Sequence, residues 1–215
     1  MNASDVFRYR KPVTFLLVAW FVFEVATSAA GFYRPGAGPL PAPAPVGLSV
    51  LLPVVIFWIW MATSPSFRAF ALSLSPQFVT IVQSWRVLGF VFLALAANGL
   101  LPYTFAGPAG WGDIFIGATA PWVAMNWATD PQRRGRFVFW NLLGVADLVL
   151  AVALGVLSSE GPAGILVRNG LTTRVVTELP LSLIPTFGVP MWLILHGIVL
   201  AQGARERSEQ PAAAR

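Results

Sequence analysis

Five ionisable side chains sit where the sequence is otherwise apolar: Glu24, Arg86, Asp113, Asp147 and the single histidine, His196. An ionised group in hydrocarbon is costly and is retained where it has a partner or a task. Carboxylates and an imidazole at graded depths are the groups with which membrane proteins relay protons or hold an ion. Spacing sharpens this. Glu24, Thr27, Ser28 and Gly31 share one helical face by three- and four-residue steps, as do Gln83 and Arg86. Asp147, Ala151 and Gly155 form a face of small residues that lets a neighbouring helix approach.

At 1.5 Å per residue, Arg86 lies about 13 Å inside its segment, near the midplane of a bilayer. Asp147 falls at the same depth in another segment. An arginine fork suits a carboxylate, so an Arg86–Asp147 ion pair is expected, with Glu24 as the competing partner. Asp113 and His196 are candidate relay groups or ligands, and Gln83 belongs with them. Asp113, about one turn into its segment, also fits a plain interaction with a helix N-terminus. His196 fits a hydrogen-bonded interior histidine better than a haem or metal ligand, because one histidine and no cysteine leave no ligand set. The five groups can equally form a buried network that fixes helix register. Pro180, Pro185 and Pro190 precede His196, and a bend or unwound point is expected at Pro185 to Pro190. A kinked packing helix is the simpler alternative.

Other chemistry finds little support. The absence of cysteine excludes disulfides, thiolate metal sites and cysteine nucleophiles. No Gly-x-Ser-x-Gly, Walker lysine, Gly-x-Gly-x-x-Gly or His-Glu-x-x-His pattern occurs. No catalytic residues are assigned, the reading leans away from an enzyme, and the sequence names no cofactor for or against.

The elements that must position these groups are transmembrane helices. With 56% hydrophobic residues and a mean hydropathy of +0.70, the chain is too apolar for an ordinary soluble domain. Six apolar stretches approach or reach the length that spans a bilayer: 13–31, 46–63, 77–101, 110–128, 137–157 and 181–202. They are continuous rather than alternating, so the expected fold is all-α, one polytopic six-helix bundle over residues 1–202. Residues 203–215 read as a disordered cytoplasmic tail. Of the 14 basic residues, ten (Arg8, Arg10, Lys11, Arg68, Arg133, Arg134, Arg136, Arg205, Arg207 and Arg215) flank one side and three (Arg34, Arg168 and Arg174) the other. That asymmetry places both termini in the cytoplasm. It also accounts for the net charge of +5 without nucleic acid. Residues 1–30 resemble a secretory signal with Ala26-Thr27-Ser28-Ala29-Ala30 as its cleavage region, but the first helix is expected to be kept. Deep tryptophans, Trp20, Trp85 and Trp192, are candidate walls of an apolar pocket.

Several stretches form a recognisable set: Trp85-Arg86-Val87, Gly112-Asp113, Ala120-Pro121-Trp122, Trp140-Asn141-Leu142-Leu143-Gly144, Ala146-Asp147-Leu148, and Leu181-Ser182-Leu183-Ile184-Pro185 with His196. Together they resemble an uncharacterised family of bacterial multi-spanning membrane proteins. The resemblance implies a multi-pass protein of the bacterial inner membrane and carries no activity. The expected partner is the lipid bilayer, alone or within a homo-oligomer or larger complex. Three functions fit. The first is a small-solute or ion transporter or channel, proton-linked through Arg86, Asp147 and Glu24. The second is an accessory or assembly subunit contacting a pigment, haem or quinone. The third is a sensor whose outer loop binds a ligand.

Overall fold

The structure is a computed structural model that describes the backbone of residues 3–213 and the side chains of residues 8–205. It is all-helical. The elements are α1 (Ala3–Ala29), α2 (Ala44–Thr63), α3 (Pro65–Leu72), α4 (Pro76–Val82), α5 (Phe90–Ala97), α6 (Tyr103–Asn126), α7 (Arg134–Leu157) and α8 (Val189–Ala213). A 3-10 segment, Gln83–Gly89, joins α4 to α5, and a π-helical segment, Ile184–Gly188, leads into α8.

Local chemistry sets the breaks. Pro65 and Pro76 occupy first-turn positions of α3 and α4. There the missing N–H costs nothing. Ser64 and Ser75 cap the same helices by accepting from the amides of Phe67 and Phe78, both at 3.3 Å. Arg68 turns back to satisfy the open end of α2, donating to the carbonyls of Met61 at 2.8 Å and Ala62 at 2.9 Å. Pro185 and Pro190 bracket the region where the helix widens into a π turn. A proline that cannot donate leaves a carbonyl to be satisfied by such a local adjustment.

Five stretches are long and apolar enough to cross a membrane: Arg8–Ala29, Ala44–Thr63, Pro76–Ala97, Pro131–Leu157 and Ile184–Arg205. The bundle turns apolar side chains outward, among them Phe15, Val18, Leu51, Ile56, Phe139 and Val149. A large outward apolar surface over continuous helices is that of a protein embedded in lipid.

The expectation of six apolar spans is thus met in five. The remaining stretch, 110–128, lies in α6, which begins seven residues earlier. Pro102 enters in an extended conformation and the helix starts at Tyr103. Gly107, Pro108, Gly110, Gly112, Gly117 and Pro121 dilute its hydropathy. They also give it a narrow face for close packing against α4, α5, α7 and the 3-10 segment. The expected span 77–101 is one traverse broken by its 3-10 centre. At the C-terminus the backbone stays helical through Ala213, where a disordered tail was expected from 203. Arg207 and Arg215, counted among the basic flanks, lie outside the residues whose side chains are described.

The two ends of the bundle are tied separately. At one, Phe105 and Leu101 pack with Val176 of the long 158–183 connection. At the other, Gln202 donates to the carbonyls of Leu72 at 3.1 Å and Leu74 at 2.8 Å, and Arg134 donates to the carbonyl of Gly203 at 2.6 Å. α6 runs from the first end to the second, where Val123 packs with Val79, Phe137 and Val199.

Candidate functional site

Arg86 is fully buried on the 3-10 segment and is served from three other helices. Its Nε donates to Asp113 Oδ1 on α6 at 2.8 Å. Its Nη2 donates to Asp147 Oδ2 on α7. Nη1 donates to the carbonyl of Gly144 at 3.2 Å and lies 3.2 Å from His196 Nε2 on α8. The Trp192 ring lies 5.8 Å from the guanidinium carbon, close enough for a cation–π contact. A guanidinium cannot accept, so His196 Nε2 is the acceptor. His196 Nδ1 then carries the proton and donates to Asn141 Oδ1 at 2.9 Å, while Asn141 Nδ2 donates to the carbonyl of Phe137, also at 2.9 Å. This chain of donors assigns His196 as neutral.

Glycines make the space. A Cβ on Gly112 would overlap the Asp147 carboxylate, one on Gly144 the His196 ring, and one on Gly89 the Asp113 Cβ. On Gly117 it would strike the backbone of Val87 beside Arg86. The helices close on the charged set to distances only bare backbone permits.

Of the residues singled out in the sequence, Arg86, Asp147, Asp113 and His196 are brought together. Asp113 is not a helix-end residue: it stands nearly three turns into α6, because that helix starts at Tyr103. His196, on α8 beyond the bend, reaches Arg86. Gln83 lies below the cluster and donates to the carbonyl of Trp192 at 3.4 Å. Pro185 and Pro190 sit at the π segment and the first turn of α8.

Glu24 is not part of this set. It is buried elsewhere in α1, accepting from Trp20 Nε1 at 3.1 Å and from the Tyr33 hydroxyl. Tyr33 also meets Ser49 at 3.0 Å and accepts from Thr27 at 3.3 Å. Among the described residues no basic side chain forms an ion pair with Glu24. Burial raises the Tyr33 hydroxyl above its ordinary value, and the hydrogen bond to Glu24 raises it further. None of the three expected pocket tryptophans lines the cavity described below: Trp20 donates to Glu24, Trp192 lies against Arg86, and Trp85 faces outward at 67% exposure.

Asn141, Gly144 and Tyr33 were missed. The first two had a signal: Asn141, Gly144 and Asp147 follow at three-residue steps on one face of α7. Tyr33 had none, lying in the turn beyond α1.

Between the clusters lies an apolar cavity that admits the centres of water-sized molecules over about 90 Å³. Val50, Phe92, Phe105, Leu148, Val152 and Val189 wall it, and the π segment contributes Ile184 and Pro185. Asp113 borders it at the inner end and Tyr33 on the side. At the loop end stand Glu160 and Arg174, paired at 3.6 Å. Among the described residues no three His, Asp or Glu side chains converge as a metal-ligand set.

Residues 43–202 match the family model described as Domain of unknown function (DUF8737). No curated protein and no solved structure matches the chain. The matched region holds all of the Arg86 cluster and leaves out Glu24 and Tyr33.

Proposed function

The chain belongs to the DUF8737 family, and we propose that it is a proton-coupled transporter of a small solute, with Arg86, Asp113, Asp147 and His196 as its proton site. The observation that carries this reading is the double engagement of Asp113. The same carboxylate that holds Arg86 borders a cavity between the helices. A network that only locks helix register has no need of a ligand space at its ionised member.

Charge counting supports the reading. Arg86 brings one positive charge, Asp113 and Asp147 two negative ones, and His196 none. The set carries a net −1 unless it takes up one proton or one monovalent cation. An uncompensated charge in the bilayer interior is costly, so exchanging that single charge is a natural coupling step. The groups facing Asp113 and Asp147 are Arg86 from the 3-10 segment and, through it, His196 from α8.

In this reading α6 is the sixth span. At 24 residues it is about 36 Å long, enough for a hydrocarbon core of about 30 Å. Both termini then lie on the cytoplasmic side of a bacterial inner membrane, where the basic flanks collect. The cavity opens to the opposite side.

The test is proton flux in liposomes carrying a pH-sensitive dye. Wild type is expected to move protons when a solute gradient is imposed, and Asp113→Asn and Asp147→Asn to fall to the leak of empty vesicles. Equal flux in all three would refute the role of the carboxylates. A wild type no leakier than empty vesicles under any solute gradient would instead favour an accessory subunit locked by its ion pairs.

A further inference from the structure

We propose that the cavity takes a small amphipathic organic monocation, an alkylammonium in its simplest form, with its charged head against Asp113 and its hydrocarbon among the apolar walls. The inference rests on reading the Arg86 cluster as an exchangeable charge site, and it names the ligand class that site selects.

Compensation of charge around the cavity leads to this class. Glu160 and Arg174 at the loop end are paired with one another. Tyr33, on the side wall, is committed to Glu24. The remaining ionisable group on the lining is Asp113, which is 4% exposed and gives Oδ1 to Arg86. Behind it stands a set with one more carboxylate than guanidinium. A monovalent cation in the cavity neutralises that excess without disturbing Arg86.

The walls decide what kind of cation. A hard inorganic ion needs a shell of about six oxygen ligands, and most of this lining is apolar, with side-chain hydroxyls only on Tyr33, Ser159, Thr173 and Thr177. An ammonium on a hydrocarbon body needs one carboxylate and apolar surroundings. Phe92 and Phe105 on the lining meet edge to face with centroids 5.3 Å apart, presenting aromatic surface to such a head group. An anion is disfavoured by the same charge count, and a neutral lipid tail would leave the carboxylate uncompensated. When the ammonium arrives at a protonated cluster, the proton leaves to solvent and the carboxylate pairs with the cation. Charge is conserved by one-for-one exchange, and no covalent bond changes besides the O–H that is lost.

The experiment uses the purified full chain in detergent and three probes with the same tail: n-pentylammonium, n-pentanol and pentanoate. Binding is followed by titration calorimetry, and proton release in weak buffer. Pentylammonium is expected to bind more tightly than pentanol by about tenfold or more, the scale of one hydrogen bond to a charged group. Pentanoate is expected to bind least, and ammonium binding to release a proton. Asp113→Asn should erase the preference for ammonium and the proton release while keeping the pentanol affinity. Val152→Trp, which fills the cavity and leaves the Arg86 contacts intact, should abolish binding of both pentylammonium and pentanol. Equal affinity for all three probes in wild type, or a preference unchanged in Asp113→Asn, would overturn the assignment and leave an apolar space suited to a lipid tail. The two readings fail separately. Ammonium preference without liposome proton flux removes the transporter and keeps the ligand class. Proton flux without ammonium preference removes the ligand class alone.

Discussion

A leucine in place of Arg86 would leave two carboxylates and a histidine ring facing one another with nothing to bridge them. Stranding a buried charge in this way costs about 3–5 kcal/mol, so Arg86→Leu should sharply lower the unfolding midpoint in detergent. Adding Asp147→Leu should recover part of the loss, since stranding one carboxylate, that of Asp113, is cheaper than stranding two. A double variant less stable than the single would show that Asp147 is held by something other than the guanidinium. Lysine is no substitute, because a point charge cannot reach acceptors on three helices as the planar fork does. The Glu24–Tyr33 contact belongs to the same scale. Tyr33 has a raised value in the fold, so the folded state favours its neutral form. Its contribution is therefore whole below the unfolded value of 10.0 and is lost as pH rises through the higher folded value. Wild type should lose stability above about pH 10 more steeply than Tyr33→Phe. At neutral pH that variant should be weaker by about 0.5–1.5 kcal/mol, the net worth of a typical hydrogen bond. Parallel alkaline curves for the two proteins would contradict the raised value.

At the scale of elements, the glycines separate into those that admit a neighbour and those that do not. Gly112 lies over the Asp147 carboxylate and Gly144 over the His196 ring, whereas nothing approaches a Cβ placed on Gly135 in the first turn of α7. Gly112→Ala and Gly144→Ala should each cost about 1–3 kcal/mol by overpacking. Gly135→Ala should be neutral or gain up to about 1 kcal/mol from helix propensity. Melting curves of the three variants decide it, and a neutral Gly144→Ala would mean that His196 can move away from Arg86. This seam also explains what the sequence did and did not disclose. Depth arithmetic points to Arg86 and Asp147, and the two are in contact, because depth along a helix is set by its length. Asp113 was misread because Tyr103 to Gly110, with its glycines and proline, has the composition of a loop. Inside a bundle those residues form a close-packing helix. Glu24 was misread for a different reason. It shares the depth of the cluster, but which helices are neighbours depends on packing around the whole bundle.

At the scale of the whole molecule, topology turns on α6. Both ends of the bundle are defined by contacts rather than by hydropathy. Tyr33, Phe105, Glu160, Thr173 and Arg174 line the cavity at one end, while Gln202, Leu72, Leu74, Arg134 and Gly203 join at the other. α6 begins at the first and finishes at the second, where Trp127 and Ala128 pack against the cluster of Val79, Phe137 and Val199. If the five apolar stretches cross a bilayer, α6 must cross with them, or α7 would have to enter from the wrong face. Its outward side supports this, since Trp111, Phe115, Trp122 and Met125 are exposed and apolar. The native chain has no cysteine, so single cysteines report position without a background. Ala37→Cys, Asn98→Cys and Ala163→Cys should react with an impermeant maleimide on intact cells. Ser73→Cys and Gln132→Cys should react only after permeabilisation. The decisive pair is Asn98→Cys and Gln132→Cys, which flank α6. Labelling of both from the same side would show that α6 does not cross, would leave an odd number of spans, and would put the termini on opposite faces of the membrane.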